Sequence, residues 1–145
     1  MSTYISRSEA DTIAIAEKLA KTLVPGDVVA LFGGLGRGKT AFVRGLAYGL
    51  GLDGGQVCSP TFALVNEYRG AGARTLCHFD MYRVTGEEAL HTTGFYDCID
   101  NGGILAVEWS ENILYALPER AINVTISLGE DETQRVIVVQ GKESV

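Results

Sequence analysis

Residues 28–40 read Val28-Val29-Ala30-Leu31-Phe32-Gly33-Gly34-Leu35-Gly36-Arg37-Gly38-Lys39-Thr40. The first five are apolar and rich in β-branched side chains, which predicts a short buried strand. The next eight, Gly33 to Thr40, spell G-x-x-x-x-G-K-[ST], the signature of a phosphate-binding loop. Beyond them Val43, Leu46, Ala47 and Leu50 recur at i, i+3, i+4 and i+7, one face of a helix, and Gly51 supplies a stop. Strand, glycine loop and helix in that order form the context such a loop requires. Glycines let backbone N–H groups curve around phosphate oxygens, and the helix N-terminus adds positive potential. Gly33, Gly34, Leu35, Gly36, Arg37, Gly38, Lys39 and Thr40 are therefore the expected nucleotide contacts. In such a loop Lys39 reaches the β- and γ-phosphates and takes part in catalysis, and the Thr40 hydroxyl ligates Mg²⁺.

Working outward, Ser8-Glu9-Ala10-Asp11 resembles a capping box. It predicts a helix with Ile13, Ala16, Leu19, Ala20 and Leu23 on one face, ending before Pro25-Gly26. On the other side, Phe62 to Tyr68 and Arg74 to Phe79 read as strands joined across Arg69-Gly70-Ala71-Gly72-Ala73, a hairpin. Glu87 to Leu90 suggests a short helix, and Ile104-Leu105-Ala106-Val107 another buried strand. Ile122 to Leu128 and Arg135 to Val139 flank Gly129-Glu130-Asp131-Glu132-Thr133, a second hairpin. Parallel units and hairpins together predict an α/β fold: a P-loop NTPase-like mixed β-sheet flanked by helices, one domain over residues 1–145.

A phosphate loop needs an acid near its metal. Glu108 follows the strand at 104–107, where a carboxylate binds Mg²⁺ directly or through water. Asp80 ends the strand before it, in His78-Phe79-Asp80-Met81-Tyr82-Arg83, and shares a strand face with His78. Its position suits it to orient or deprotonate an attacking water, or to hold a metal-bound water. Ser59-Pro60-Thr61 offers hydroxyls that sense γ-phosphate or metal in nucleotide switches, with Thr61 the expected contact. Trp109, the single tryptophan, follows Glu108. The guanine-reading pattern [NT]-K-x-D is absent, which favours ATP over GTP.

The chain carries a net charge of -6 and a pI of about 4.8, so it does not hold nucleic acid by bulk electrostatics. Any role at RNA is expected to run through a partner. The apolar fraction of 46% and mean hydropathy of +0.13 suffice for a core, and no apolar run approaches membrane-spanning length. The first residues lack a basic region and an apolar signal core, so the cytoplasm is the expected compartment. Cys58, Cys77 and Cys98 show no C-x-x-C spacing, which suggests neither a disulfide framework nor a zinc site. Cys77 and His78 are adjacent on a strand and face opposite ways. Cys58 and Cys77 are expected to be buried thiols.

In order, Gly33 to Thr40, Ser59-Pro60-Thr61-Phe62 with Leu64-Val65-Asn66-Glu67-Tyr68, His78 to Arg83, Glu87-Glu88 and Glu108-Trp109 resemble the TsaE family. These are small bacterial ATPases needed for the threonylcarbamoyl-adenosine (t6A) modification of tRNA. The resemblance runs from about Ser8 to Arg135. It implies ATP contacts from residues 33–40, Mg²⁺ held by Thr40 and Glu108, and Asp80 important for hydrolysis. It implies that Arg135, near the last hairpin, approaches the nucleotide. It also implies TsaB and TsaD as partners in a TsaBDE complex, with tRNA engaged only indirectly and the ATP cycle resetting the complex between turnovers. Hydrolysis by the chain alone is then expected to be slow and raised by partners. His91-Thr92-Thr93 departs from the family pattern.

Two other functions fit a phosphate loop. A small-molecule or nucleoside kinase needs a lid rich in arginine, but the longest stretch between core elements, Thr85 to Gly103, contains none. A binding module that senses ATP without hydrolysing it has no need of Asp80 and Glu108 as paired acids.

Overall fold

A computed structural model of the chain describes residues 1–33, 38–60, 65–70 and 74–141. The elements in chain order are β1 (Ser2–Ser6), α1 (Glu9–Ala20), β2 (Val28–Phe32), α2 (Lys39–Gly49), a 3₁₀ turn (Gly54–Gln56), β3 (Val65–Arg69), β4 (Thr75–Asp80), α3 (Glu87–His91), α4 (Phe95–Asp100), β5 (Ile104–Glu108), a kinked 3₁₀ segment (Ser110–Ala116), β6 (Ile122–Leu128) and β7 (Arg135–Gln140). The strands form one seven-stranded sheet in the order β1-β7-β6-β2-β5-β4-β3. The central four, β6-β2-β5-β4, run parallel. An antiparallel strand or pair closes each side. This is the mixed α/β sheet that the combination of a strand–loop–helix unit with two hairpins predicts.

Alternation along the buried strands sorts the core into two layers. Val29 and Leu31 of β2, Leu76 of β4, Ile104 and Ala106 of β5 and Val124 of β6 face α1 and α2. Val28, Cys77, Phe79, Leu105 and Val107 face the opposite side, under Leu90, Phe95 and Ile113. Ser8 caps α1 by accepting from the Asp11 N–H at 3.0 Å. The returning bond of the capping box shifts by one residue: Asp11 Oδ2 accepts from the Arg7 N–H at 2.9 Å.

Three elements lie outside the sequence reading. β1 pairs with β7 at the edge, but its side-chain pattern conceals it: Ile5 is 43% exposed while Ser6 is buried. In α4 and the 110–116 segment, six and seven residues are too few to show a helical period. The predicted hairpins stand at β3–β4 and β6–β7. Phe62, Ala63, Leu64, Ala71, Gly72 and Ala73 fall outside the described residues. Cys77 is buried as expected, but Cys58 is exposed, because it lies in the irregular segment before β3 and not in the sheet. Among the described residues no helix is long and apolar enough to cross a membrane.

α1 and α2 touch almost backbone to backbone. The contact depends on Gly45 and Gly49, one turn apart on α2. A Cβ at Gly45 would overlap the Ile13 carbonyl oxygen and lie 2.7 Å from Ala16 Cβ; one at Gly49 would lie 2.5 Å from Ala20 Cβ. Helix propensity alone favours alanine at position 45 by up to about 1 kcal/mol. Overpacking against a backbone oxygen opposes it with about 1–3 kcal/mol. Packing should win. Gly45→Ala is expected to lower the urea midpoint, with a net loss of about 1–2 kcal/mol. An unchanged or raised midpoint would show that the helices separate without cost.

Candidate functional site

The parallel strands end together, and their carboxyl edge gathers the chemistry. β4 and β5 pair in a register that sets Asp80 opposite Glu108. His78, Asp80 and Glu108 are even-numbered, like Leu76, Ile104 and Ala106, so all three project toward the α1–α2 side. His78 is fully buried. Its Nε2–H donates to Glu108 Oε2 at 2.5 Å. That bond fixes one carboxylate oxygen of Glu108. Asp80 is 8% exposed and Glu108 5%. Asp80 Oδ1 accepts from the Tyr82 N–H at 2.9 Å, which turns the chain sharply after β4. The Met81 N–H donates to the Glu108 carbonyl at 3.0 Å, and the Asn112 amide donates to the Met81 carbonyl at 2.9 Å. The two acids are thus held by a clamp between strand ends.

β2 ends in the same row and leads to α2. Gly33, at φ +132, lies so close to β6 that a Cβ would overlap the Ile126 carbonyl oxygen. Only glycine fits there. Gly38 caps α2 at φ 96 and offers no side chain to its first N–H groups. No side chain among the described residues caps those donors. Lys39, the next residue, is 1% exposed, and its Nζ has no hydrogen-bond partner among the described residues. Its ammonium lies 4.7 Å from the centroid of the Trp109 ring. Trp109 has φ 58 and ψ 40, a left-handed conformation that no other non-glycine described residue adopts. Such a backbone costs about 1–3 kcal/mol in general. The indole lies beneath Lys39, and the Tyr82 ring packs against it with centroids 4.9 Å apart.

Beside Thr40 a cleft of about 510 Å³ opens between the first turns of α1 and α2 and the β6–β7 hairpin. Arg7, Thr12, Gly38, Thr40, Thr133 and Arg135 are among the residues that line it. That volume lies within the range of small-molecule sites, about 300–1,000 Å³. In the structure Arg135 Nη1 donates to the Glu132 and Gln134 carbonyls at 2.7 and 2.9 Å. Arg44, which also lines the cleft, donates to the Gly54 and Val57 carbonyls and pairs with Glu9 at 2.9 Å. It ties the turn at 54–56 to both helices.

The structure therefore brings Gly33, Gly38, Lys39 and Thr40 to one end of the sheet with Asp80 and Glu108, and sets Arg135 on the adjoining cleft. Gly34, Leu35, Gly36, Arg37 and Thr61 lie outside the described residues. Three participants carried no role in the sequence reading. His78 binds Glu108, a contact signalled only by equal parity on two neighbouring strands. Arg7 and Thr12 reach the cleft because β1 and the α1 cap lie beside it, and nothing in their spacing announces this.

The family model described as "Threonylcarbamoyl adenosine biosynthesis protein TsaE" matches residues 6–137. The tRNA threonylcarbamoyladenosine biosynthesis protein TsaE of Treponema pallidum is 36% identical over 134 residues, 92% of this chain and 97% of that protein. The protein of the same name from Bacillus subtilis is 37% identical over 132 residues, 90% of this chain and 81% of that one. The crystal structure of Bacillus subtilis YdiB superposes with a TM-score of 0.76 at 29% identity and covers 99% of this chain and 87% of its own. The matched span contains the phosphate loop, both strand-end acids and the lysine beneath which Trp109 turns; on that breadth of agreement, the chain belongs to the TsaE family of tRNA threonylcarbamoyladenosine biosynthesis proteins.

Proposed function

We propose that the chain is a Mg²⁺-dependent ATP-binding and ATP-hydrolysing accessory protein of t6A formation. In this reading it acts in the cytoplasm with TsaB and TsaD, meets tRNA only through them, and is slow without them. The observation that carries the reading is Lys39. A buried ammonium with no hydrogen-bonding partner among the described residues, at a helix N-terminus that no side chain caps, suits an anion. A nucleotide's β- and γ-phosphates fit it in charge and in donor geometry. Lys39 and the first N–H groups of α2 would hold the phosphates. Thr40 and the free oxygen of Glu108 would hold Mg²⁺, which neutralises phosphate charge when bound. The cleft lined by Thr12 and Arg135 would take the nucleoside. Asp80, across from Glu108, keeps one carboxylate oxygen outside its turn and would orient water.

Phosphate release tests this reading with the chain alone, then with TsaB and TsaD, then with candidate small-molecule acceptors. Slow release that rises with the two proteins is expected. Transfer to an acceptor would favour a kinase, and tight binding without release would favour a sensor. Lys39→Ala should abolish release by removing the point charge on the phosphates. Release at the original rate in that variant would refute the site.

Asp80→Asn separates two roles. Asparagine still accepts the Tyr82 N–H, so the turn survives, but the charge is lost. ATP affinity should stay within a few-fold while kcat falls by about 10²-fold or more, because ground-state binding comes from Lys39, the helix end and Mg²⁺. Parallel loss of affinity and turnover would make Asp80 a metal ligand instead.

His78 is a positioning residue in this scheme. His78→Gln should raise the Mg²⁺ concentration needed for half-maximal turnover and leave kcat near the original at saturating Mg²⁺. A lowered kcat with an unchanged Mg²⁺ requirement would remove His78 from the metal's support.

A further inference from the structure

On the opposite face of the sheet from Lys39, three soft or anionic side chains converge from three elements. Glu67 of β3 and Cys77 of β4 are register partners. Cys98 reaches them from α4. Glu67 Oε1 lies 4.0 Å from Cys77 Sγ and 3.9 Å from Cys98 Sγ. All three ligand atoms fall within 4.8 Å of one another. The other carboxylate oxygen, Oε2, is taken by Arg69 at 3.2 Å, which leaves Oε1 directed at the thiols. Gly103 permits the approach: a Cβ there would sit 2.9 Å from the Cys98 carbonyl oxygen and 3.3 Å from Cys77 Sγ.

We propose that Glu67, Cys77 and Cys98 form a binding site for a thiophilic divalent cation of the Zn²⁺ class. Two thiolates and one carboxylate are a tetrahedral donor set lacking its fourth member. Tetrahedral Zn²⁺ with such ligands spaces them roughly 3.5–3.8 Å apart, so the atoms, here 3.9–4.0 Å from oxygen to sulfur and all within 4.8 Å, would draw in by up to about 1 Å. The site opens on a cleft of about 450 Å³ that gives the cation entry, and water or Asp97, which also lines it, completes the coordination. Soft sulfur excludes Mg²⁺ and Ca²⁺, so this site is chemically separate from the acids at Asp80 and Glu108.

The thiols are not poised as nucleophiles. Burial first, then the hydrogen bond to Cys98, pushes the Cys77 thiol far above its ordinary range, and burial likewise raises Cys98. Without a cation both sulfurs keep their protons. Binding forms two S–metal bonds and one O–metal bond and releases both thiol protons to solvent. The cation would cross-link the edge strand β3, the Asp80-bearing strand β4 and the helix α4.

Co²⁺ titration of the full-length, reduced protein tests the site, since thiolate coordination gives near-ultraviolet charge-transfer absorption that carboxylate or imidazole coordination does not. One Co²⁺ per chain should produce that band, Zn²⁺ should displace it, and Zn²⁺ should raise the thermal midpoint. Cys98→Ala, at a half-buried position, should abolish the band and the thermal shift. Glu67→Gln should weaken binding, and Cys58→Ser, at the exposed thiol, should change nothing. Saturation with Mg²⁺ should leave the band intact. The proposal is overturned if no thiolate band forms, if the band survives Cys98→Ala or disappears in Cys58→Ser, or if the reduced pair oxidises to a Cys77–Cys98 disulfide and takes up no metal.

Discussion

The buried ammonium of Lys39 constrains everything around it. A charge removed from water costs several kcal/mol unless something nearby compensates it. Here the compensation is partial: one indole face at 4.7 Å and no hydrogen-bonding acceptor among the described residues. A cation–π contact supplies about 0.5–2 kcal/mol, which does not cover the loss of hydration. The surrounding framework must therefore hold the lysine in place against its own preference for solvent. It does so through the α1–α2 contact at Gly45 and Gly49, which leaves α2 little freedom to tilt, and through the left-handed turn at Trp109. Strain and unsatisfied charge are concentrated at the same end of the sheet. That is the end of the sheet at which the proposed anion would bind.

Parity and register do the rest. In a parallel sheet, residues at strand ends on the same face come together whatever their distance in sequence. Asp80 and Glu108 are 28 positions apart in sequence numbering yet are register partners. His78 sits two residues deeper on the same face, where it is fully enclosed and can reach back to Glu108. The odd-numbered neighbours are committed to the other layer, Cys77 among them. One strand, β4, thus serves two chemistries, with oxygen and imidazole donors on one face and sulfur on the other.

Much of this was legible in the residues. The phosphate loop, its strand and its helix follow from glycine spacing and apolar periodicity. The strand-end acids follow from where the apolar runs at 76–79 and 104–107 stop. What escaped was set by tertiary contact. β1 has an inverted pattern, with Ile5 outward and Ser6 inward, because its register is dictated by β7. α4 is too short to show a period. Arg44 is consumed by two carbonyls and a glutamate that local sequence does not place near it. The thiol–carboxylate cluster has no spacing signature at all, since its members come from an edge strand, the strand beside it and a helix packed across both.

Nucleotide binding and protein stability should then be one equilibrium seen twice. With no hydrogen-bonding acceptor among the described residues, the buried ammonium of Lys39 is by itself a destabilising term. An anion that satisfies it relieves that term, so the free energy of binding contains a share that was stored in folding. The share is largest for the groups nearest Nζ and the α2 N-terminus and smallest for the nucleoside side of the cleft, where Arg135 is already satisfied by its own hairpin. In the proposed scheme the phosphates would meet Lys39 and the α2 N-terminus already in place, whereas contact from Arg135 would require it to give up two carbonyl bonds. In that scheme an arginine so held would be a late participant. It suits a step that depends on rearrangement of the β6–β7 hairpin more than it suits the first encounter with nucleotide.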